Sequence, residues 1–285
     1  MTNQIVYLDG NFIPLDQAKV SVLDRGFIFG DAIYEVIPVF CGKLVRFEEH
    51  LTRLNNSLNS VKIKNPHSSE TWLSILQELI SNNKSNTNLS IYLQITRGVA
   101  PRNHNFPDNI TPTVFIMANP LTSLEQSILD NGVSVVTMDD IRWQYCQIKT
   151  TALIANILLR QQAAENNAVE ALLIKDGFVT EGAASNVFIT KNNIIYTPPK
   201  TNNVLPGVTR DLVVELATEL KLDIREEPIP ELLLDSADEI WLTSSTKDIL
   251  PVTKINNRSI GNGKPGPLWN KLHLAFNDYK VKLCE

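Results

Sequence analysis

Apolar and polar residues alternate along this chain with two periods, and the switches between them outline its elements. Gln4 to Leu8 and Asn11 to Leu15 flank Asp9-Gly10 and predict a hairpin. Between Arg46 and Val61, the residues Phe47, Leu51, Leu54, Leu58 and Val61 recur at helical spacing. Thr71 to Ile80 repeats that stripe with Trp72, Ile75, Leu76 and Leu79, so both segments predict helices with one buried face. Leu89 to Thr96 alternates with period two and Thr113 to Ala118 is a short apolar run. Both predict strands of one small sheet, with the two helices covering it.

The periodicity lapses near Asn119 to Ser123, which predicts the crossing into a second domain. Beyond it the pattern predicts a strand at Gly132 to Met138 and a helix from about Thr151 to Asn166. Val169 to Ile174 then turns at Asp176-Gly177 into a strand from Phe178, and Asn186 to Thr190 turns at Asn192-Asn193 into Ile194 to Thr197. Gly207 to Leu220 reads as a helix that starts in a loop, and Glu239 to Leu242 and Ile249 to Ile255 as further strands. The expected fold class is α+β: a small two-layer N-terminal domain over residues 1–120 and a larger, strand-rich C-terminal domain over residues 121–285. No internal repeat or low-complexity tract interrupts this order.

At 285 residues and 43% hydrophobic content the chain is long enough to bury a sizeable core. The formal charge is −5 and the Lys and Arg residues are scattered, so no basic stripe suits nucleic acid. Met1-Thr2-Asn3-Gln4 has neither the positive start nor the apolar run of a signal peptide. With no apolar run of about 18 residues for a membrane span, the expectation is a cytoplasmic protein. Three cysteines, Cys41, Cys146 and Cys284, are odd in number and widely spaced, which points to reduced thiols rather than a disulfide framework. His50, His67, His104 and His273 lack ligand spacing, so no metal site is expected, and neither a Walker loop nor a dinucleotide fingerprint occurs.

Candidate chemistry centres on Lys149, with Ile148 before it and Ala152-Leu153-Ile154-Ala155 after it. An amine in apolar surroundings is a usable nucleophile, whereas most lysines are solvated surface charges. About thirty residues on, Val179-Thr180-Glu181-Gly182 supplies a carboxylate. A covalent tether paired with an anion for a pyridinium nitrogen is what a pyridoxal phosphate enzyme needs, although Glu181 also suits an exposed hairpin turn. Asn203-Val204-Leu205-Pro206-Gly207-Val208-Thr209-Arg210 opens a helix whose first N–H groups at Val208 and Thr209 suit a phosphate, or an ordinary capped start. Arg102-Asn103-His104 places two donors in a loop between Pro101 and Pro107, able to hold one carboxylate or simply to face solvent.

Six stretches taken in order carry a family resemblance. They are Asp24 to Val36, Glu49-His50-Leu51-Thr52-Arg53-Leu54, Thr96 to His104, Asp140 to Thr151, Val179 to Phe188, and Pro206 to Arg210. The chain resembles the fold-type IV pyridoxal phosphate-dependent aminotransferases, and among them the D-amino acid aminotransferases. Branched-chain aminotransferase and aminodeoxychorismate lyase are relatives. The resemblance implies pyridoxal 5'-phosphate bound covalently at Lys149, with Glu181 at the ring nitrogen and Leu205 against the ring face. It further implies a phosphate cup of Arg53, Val208, Thr209 and Ser245, and a substrate-carboxylate site of Tyr34, Arg102 and His104. Arg53 otherwise reads as part of a solvated helix face, Leu205 as a core leucine beside a turn, and Tyr34 as a half-buried strand residue.

The implied activity is transamination between a D-amino acid, D-alanine foremost, and a 2-oxo acid such as 2-oxoglutarate, in a homodimer whose Arg102-His104 loop reaches the neighbouring subunit's site. Aminodeoxychorismate lyase and branched-chain L-amino acid aminotransferase are the alternatives. Two departures bear on specificity. Pro38 stands where relatives carry a lysine two residues beyond Tyr-Glu-Val, and Ala183-Ala184 stand where they carry serines.

Overall fold

The computed structural model describes residues 4–83 and 87–285; Met1, Thr2 and Asn3, read above as lacking a signal peptide's charge, lie outside them. Contacts divide the chain into two compact units: residues 1–122 with 148–152 and Cys284, and residues 123–147 with 153–283 and Glu285.

In the first unit β1 (Ile5–Leu8), β2 (Asn11–Pro14), α1 (Arg25–Phe29), β3 (Ala32–Phe40), β4 (Lys43–Leu44), α2 (Phe47–Ser60), α3 (Ser69–Asn82), β5 (Leu89–Thr96) and β6 (Thr113–Pro120) follow in order. The strands form one antiparallel sheet in the order β2-β1-β6-β5-β3-β4. The predicted stripes are the faces that pack. Leu51, Leu54 and Leu58 of α2 and Trp72, Leu76 and Leu79 of α3 share one core with Ile33, Ile37, Ile91, Leu93 and Ile116 of the sheet. Each fully buried leucine contributes roughly 1.5–3 kcal/mol relative to exposure. Ser68 lengthens α3 beyond the expected start, because its side chain accepts the Thr71 N–H at 3.3 Å.

The second unit comprises α4 (Gln126–Asn131), β7 (Val133–Asp139), α5 (Ile154–Glu165), β8 (Glu170–Lys175), β9 (Phe178–Gly182), β10 (Asn186–Lys191), β11 (Ile194–Thr197), α6 (Val208–Glu219), β12 (Ile224–Glu226), β13 (Ile229–Pro230), β14 (Glu239–Ser244), β15 (Asp248–Ile255), β16 (Arg258–Ser259) and α7 (Pro267–Cys284). Its sheet runs β12-β11-β10-β14-β15-β7-β8-β9-β13, with β16 on β15. Both faces are covered, and successive residues feed different cores. Val187, Ile189, Ile240 and Leu242 enter one cluster, while Phe188 and Trp241 enter another with Leu212 and Leu216 of α6 and Leu268 and Leu272 of α7. Strands buried on both faces read as apolar runs rather than clean alternation, as β10 and β14 do.

The α+β class is borne out, and three local expectations are corrected. Lys149, expected with the second domain, lies on a segment whose contacts group it with the first. Thr150 bridges Ile33, and the Thr151 N–H donates to the Ala32 carbonyl at 3.1 Å. Those bonds hold residues 150–152 extended beside β3, so α5 begins at Ile154 rather than Thr151. Cys41 and Cys284 form a disulfide against the expectation of reduced thiols, and Cys146 is the buried free cysteine. Their separation of 243 residues carries no sequence signal, because only folding brings the two Cα atoms to 5.5 Å. Helix α7 lies beyond the last expected element. Leu268, Leu272 and Phe276 are spaced four apart behind Pro267 at its first turn, and Glu239 accepts the N–H groups of Leu268 and Trp269 at 3.0 and 2.8 Å. Gly266 permits this approach, since a Cβ there would lie 2.1 Å from Glu239 Cδ.

Candidate active site

In the first unit the Lys149 backbone is fixed between β3 and α2. Its carbonyl accepts the Tyr34 N–H at 2.9 Å and its N–H donates to Ser57 Oγ at 3.2 Å. Its Nζ lies 4.2 Å from the Tyr34 ring centroid, and Tyr34 in turn stacks on Tyr92 at 5.7 Å. Lys149 and Tyr34, both expected at the site, are therefore brought together.

The pleat of β3 turns Glu35 away from Tyr34 and buries it completely. There Glu35 accepts from Arg53 Nε at 2.8 Å, Arg53 Nη2 at 2.7 Å and His50 Nδ1 at 2.8 Å. Arg53 is buried, which excludes a solvated helix face, and Ser57 lies one turn further along α2. Burial opposes ionisation of Glu35, but Arg53 and His50 together hold its pKa well below the carboxylate range. Burial pushes the His50 imidazole down, so it is neutral at neutral pH.

Arg102 and His104 are exposed and meet on one ring: the Arg102 guanidinium lies 5.3 Å from the Phe29 centroid and the His104 ring 5.4 Å from it. Arg25 Nη1 donates to the Asn103 carbonyl at 2.5 Å between them. Asp31 clamps Arg25 and Arg97 at 2.8 and 2.7 Å, and Arg97 lies 3.7 Å from the Phe106 centroid. Two exposed donors thus stand on a loop whose base is fixed by buried ion pairs.

The second unit holds the remaining residues. Glu181, on β9, is 3% exposed, which excludes an exposed turn carboxylate. It accepts from Arg142 Nη1 at 2.5 Å, Asn186 Nδ2 at 2.9 Å and the Leu205 N–H at 3.1 Å. Burial pushes its pKa up to about 7, against the lowering by Arg142 and the Leu205 N–H. Arg142 is itself shared with Asp140 at 2.8 Å, and Thr180 Oγ1 donates to Asp140 at 2.9 Å. Leu205 is half-buried, and its carbonyl accepts from Asn186 Nδ2 at 2.9 Å. Gly207 sits so close to Asn186 that a Cβ would fall 1.9 Å from Oδ1. It precedes α6, which starts at Val208 and Thr209 without a side-chain cap. Ser245 is half-buried in the turn between β14 and β15.

Sequence reasoning missed Glu35, His50, Arg142 and Asn186 as working parts, although all four lie in segments already singled out. Their signal is a partner 5 to 39 residues away, which only the fold reveals. The arrangement suits an anionic group at the uncapped start of α6 and a protonatable nitrogen facing Glu181, because a carboxyl titrating near 7 shares a proton readily.

Residues 32–255 match the model for amino-transferase class IV. The chain belongs to this family; it is an aminotransferase, and its cofactor is pyridoxal 5'-phosphate, which the donor set above fits. D-alanine aminotransferase of Bacillus licheniformis is 40% identical over 273 residues, 96% of each chain. That of Staphylococcus haemolyticus is 38% identical over 275 residues, 96% of this chain and 97% of that one. The fold is shared with the branched-chain amino acid aminotransferase of Escherichia coli, with a TM-score of 0.92 at 24% identity over 99% of this chain and 96% of that one. Among the described residues no helix is long and apolar enough to cross a membrane.

Two predictions follow from the opposite shifts of Glu35 and Glu181. A depressed carboxylate pKa contributes stability above the ordinary carboxylate range that is lost as pH falls through the folded value. Glu35→Gln also strands buried Arg53, so it should lower stability by about 3–5 kcal/mol near neutral pH and flatten the wild-type loss below about pH 5. Urea titrations across that range check both parts. Glu181 is raised instead, so its contribution is present below the ordinary carboxylate range and lost as pH rises through about 7. Relative to wild type, Glu181→Gln should gain stability between about pH 4.5 and 7 and level off above that; a difference independent of pH would contradict the raised carboxyl.

Proposed function

We propose that the protein transfers the amino group of a D-amino acid, D-alanine foremost, to a 2-oxo acid such as 2-oxoglutarate. The observation that carries this reading is the Lys149 amine lying 4.2 Å over the Tyr34 ring. It puts the group that moves the substrate α-proton beside the phenol that binds the substrate carboxylate. The D-alanine aminotransferases named above, matched over 96% of this chain, support the choice of D-substrates.

When bound, pyridoxal 5'-phosphate draws electrons from the substrate α-carbon and carries the amino group between the two half-reactions. Lys149 Nζ is the covalent anchor and, once freed, the base that takes the α-proton and the acid that returns it. Glu181 holds a proton at the ring nitrogen, kept in place by Arg142 and Asn186. Leu205 would pack on the ring face. Arg53, the Val208 and Thr209 N–H groups and Ser245 would hold the phosphate. Tyr34, Arg102 and His104 bind the substrate α-carboxylate and fix which hand of amino acid presents its proton to Lys149.

The enzyme works as a cytoplasmic homodimer in this reading, with Arg102 and His104 serving the neighbouring subunit's site. Their exposure supports a role in the neighbouring subunit. In the reducing cytoplasm Cys41 and Cys284 would stand as thiols.

Purified protein should be yellow, and should convert D-alanine and 2-oxoglutarate to pyruvate and glutamate. Lys149→Ala should lose both the absorbance and nearly all turnover. Turnover confined to L-valine, or consumption of aminodeoxychorismate without an acceptor, would replace the reading with one of its alternatives. Arg102→Leu should weaken D-alanine binding strongly and affect amines lacking a carboxylate little, because only the acid leaves an anion unpaired. Mixing Arg102→Leu with Lys149→Ala subunits should restore activity through one intact site per mixed dimer. Demonstrably mixed dimers without activity would confine the loop to its own chain.

A further inference from the structure

Within the second unit, α5, the start of β8, the β9–β10 connection and the β14–β15 turn enclose a cavity of about 150 Å³. Its charges do not cancel. Glu170, 3% exposed, accepts from Arg160 Nη1 at 3.1 Å and Ser185 Oγ at 3.2 Å, and its other oxygen accepts the Ala171 N–H at 3.1 Å. Arg160 and Glu170 therefore neutralise each other. Lys247 also lines the cavity, where burial and the nearby Arg160 charge disfavour its ammonium and the Glu170 charge favours it. Two cations there share one carboxylate. Thr243, 1% exposed, lines the same cavity with a hydroxyl that has no partner among the described residues.

A buried hydroxyl without a partner costs free energy, and it and the Lys247 ammonium both donate hydrogen bonds. A single carboxylate accepts from both and leaves the surroundings neutral. Ala184, Leu242 and Leu250 also line the wall and are able to face methylene groups. A cavity of about this volume holds a molecule of benzene's size, roughly six heavy atoms, and the arm of 2-oxoglutarate beyond its 2-oxo carbon has five. Val208 and Thr209 are not among the lining residues, whereas Ser244 and Thr246, on either side of Ser245, are. The cavity therefore adjoins the turn assigned to the phosphate without coinciding with the phosphate cup.

We propose that this cavity receives the distal carboxylate of a dicarboxylic substrate, 2-oxoglutarate on entry and glutamate on exit, with Lys247 Nζ as its counter-ion and Thr243 as its hydroxyl donor. The assignment rests on the transaminase reading above and makes Lys247 a determinant of acceptor choice. Ala184, exposed at the rim, leaves room for the arm where a serine would add a competing hydroxyl.

The test uses holoenzyme and the Lys247→Gln variant, with acceptors that differ in the arm. Lys247→Gln should lower the ratio of kcat/KM for 2-oxoglutarate to that for pyruvate by roughly tenfold or more, which corresponds to about 1.4 kcal/mol. Thr243→Val should lower the same ratio by a smaller factor. An unchanged ratio in Lys247→Gln overturns the proposal. Calorimetric titration with glutarate, which cannot react, reads the cavity independently of turnover. Binding to wild type that is lost in Lys247→Gln supports the assignment, and equal binding to both, or none to wild type, overturns it. Equal competition by inorganic phosphate would reassign the cavity to free anions and overturn the substrate role. Should wild type turn over no D-amino acid with any acceptor, the transaminase reading fails on that result alone, while the glutarate titration still decides the cavity.

Discussion

The buried carboxylate of Glu181 is the constraint on which the larger unit's candidate residues depend. At 3% exposure it cannot rely on water, so three separated pieces of chain must supply its donors: Arg142 after β7, Asn186 at the start of β10, and the Leu205 N–H ahead of α6. Each piece is then fixed in turn. Asn186 also donates to the Leu205 carbonyl, and it presses so closely on residue 207 that only glycine fits before the helix opens. The direction in which α6 presents its first N–H groups follows from satisfying one carboxylate, since a half-satisfied buried network is costlier than none.

Glu35 does comparable work in the smaller unit, yet the two carboxyls are driven in opposite directions. Glu35 receives both arms of the Arg53 fork and the His50 imidazole. Arg142 divides its charge between Asp140 and Glu181. Half of a guanidinium's attraction does not offset full burial, so Glu181 rises while Glu35 falls. The difference matches the tasks proposed for them. A permanently ionised Glu35 keeps Arg53 aligned, whereas a carboxyl poised near neutrality exchanges a proton with the group it faces.

Much of this was legible in the sequence wherever the signal is local. The stripes of α2 and α3, the Asp9-Gly10 and Asp176-Gly177 hairpins and the loop-to-helix start at Gly207 rest on spacing within a few residues, and each appears within two or three residues of its expected bounds. What escaped is pairing across the fold. Nothing in the sequence joins Cys41 to Cys284, Arg142 to Glu181 or His50 to Glu35, because each contact is made by strands and helices that meet only after folding. The α5 boundary failed for the same reason: Thr151 has ordinary neighbours for a helix, but its N–H is taken by Ala32. Helix α7 is the exception, since its spacing was visible, and only its cap, Glu239, is remote.

The Lys149 segment joins these two kinds of information. Its neighbours mark it as apolar, which singles out the lysine, but its use depends on how the backbone is held. Bonds from Tyr34, to Ser57 and from Thr151 to Ala32 pin the chain on both sides of the residue. The side chain itself meets chiefly the face of Tyr34, an attraction worth roughly 0.5–2 kcal/mol. A group that must carry a covalent bond and then swing to move a proton needs a fixed root and a weakly held tip. A strong ion pair at Nζ would defeat the second requirement, and in the same unit the Glu35 carboxylate is committed to Arg53 and His50. Burying and pairing that carboxylate therefore keeps the lysine available as much as it organises its own surroundings.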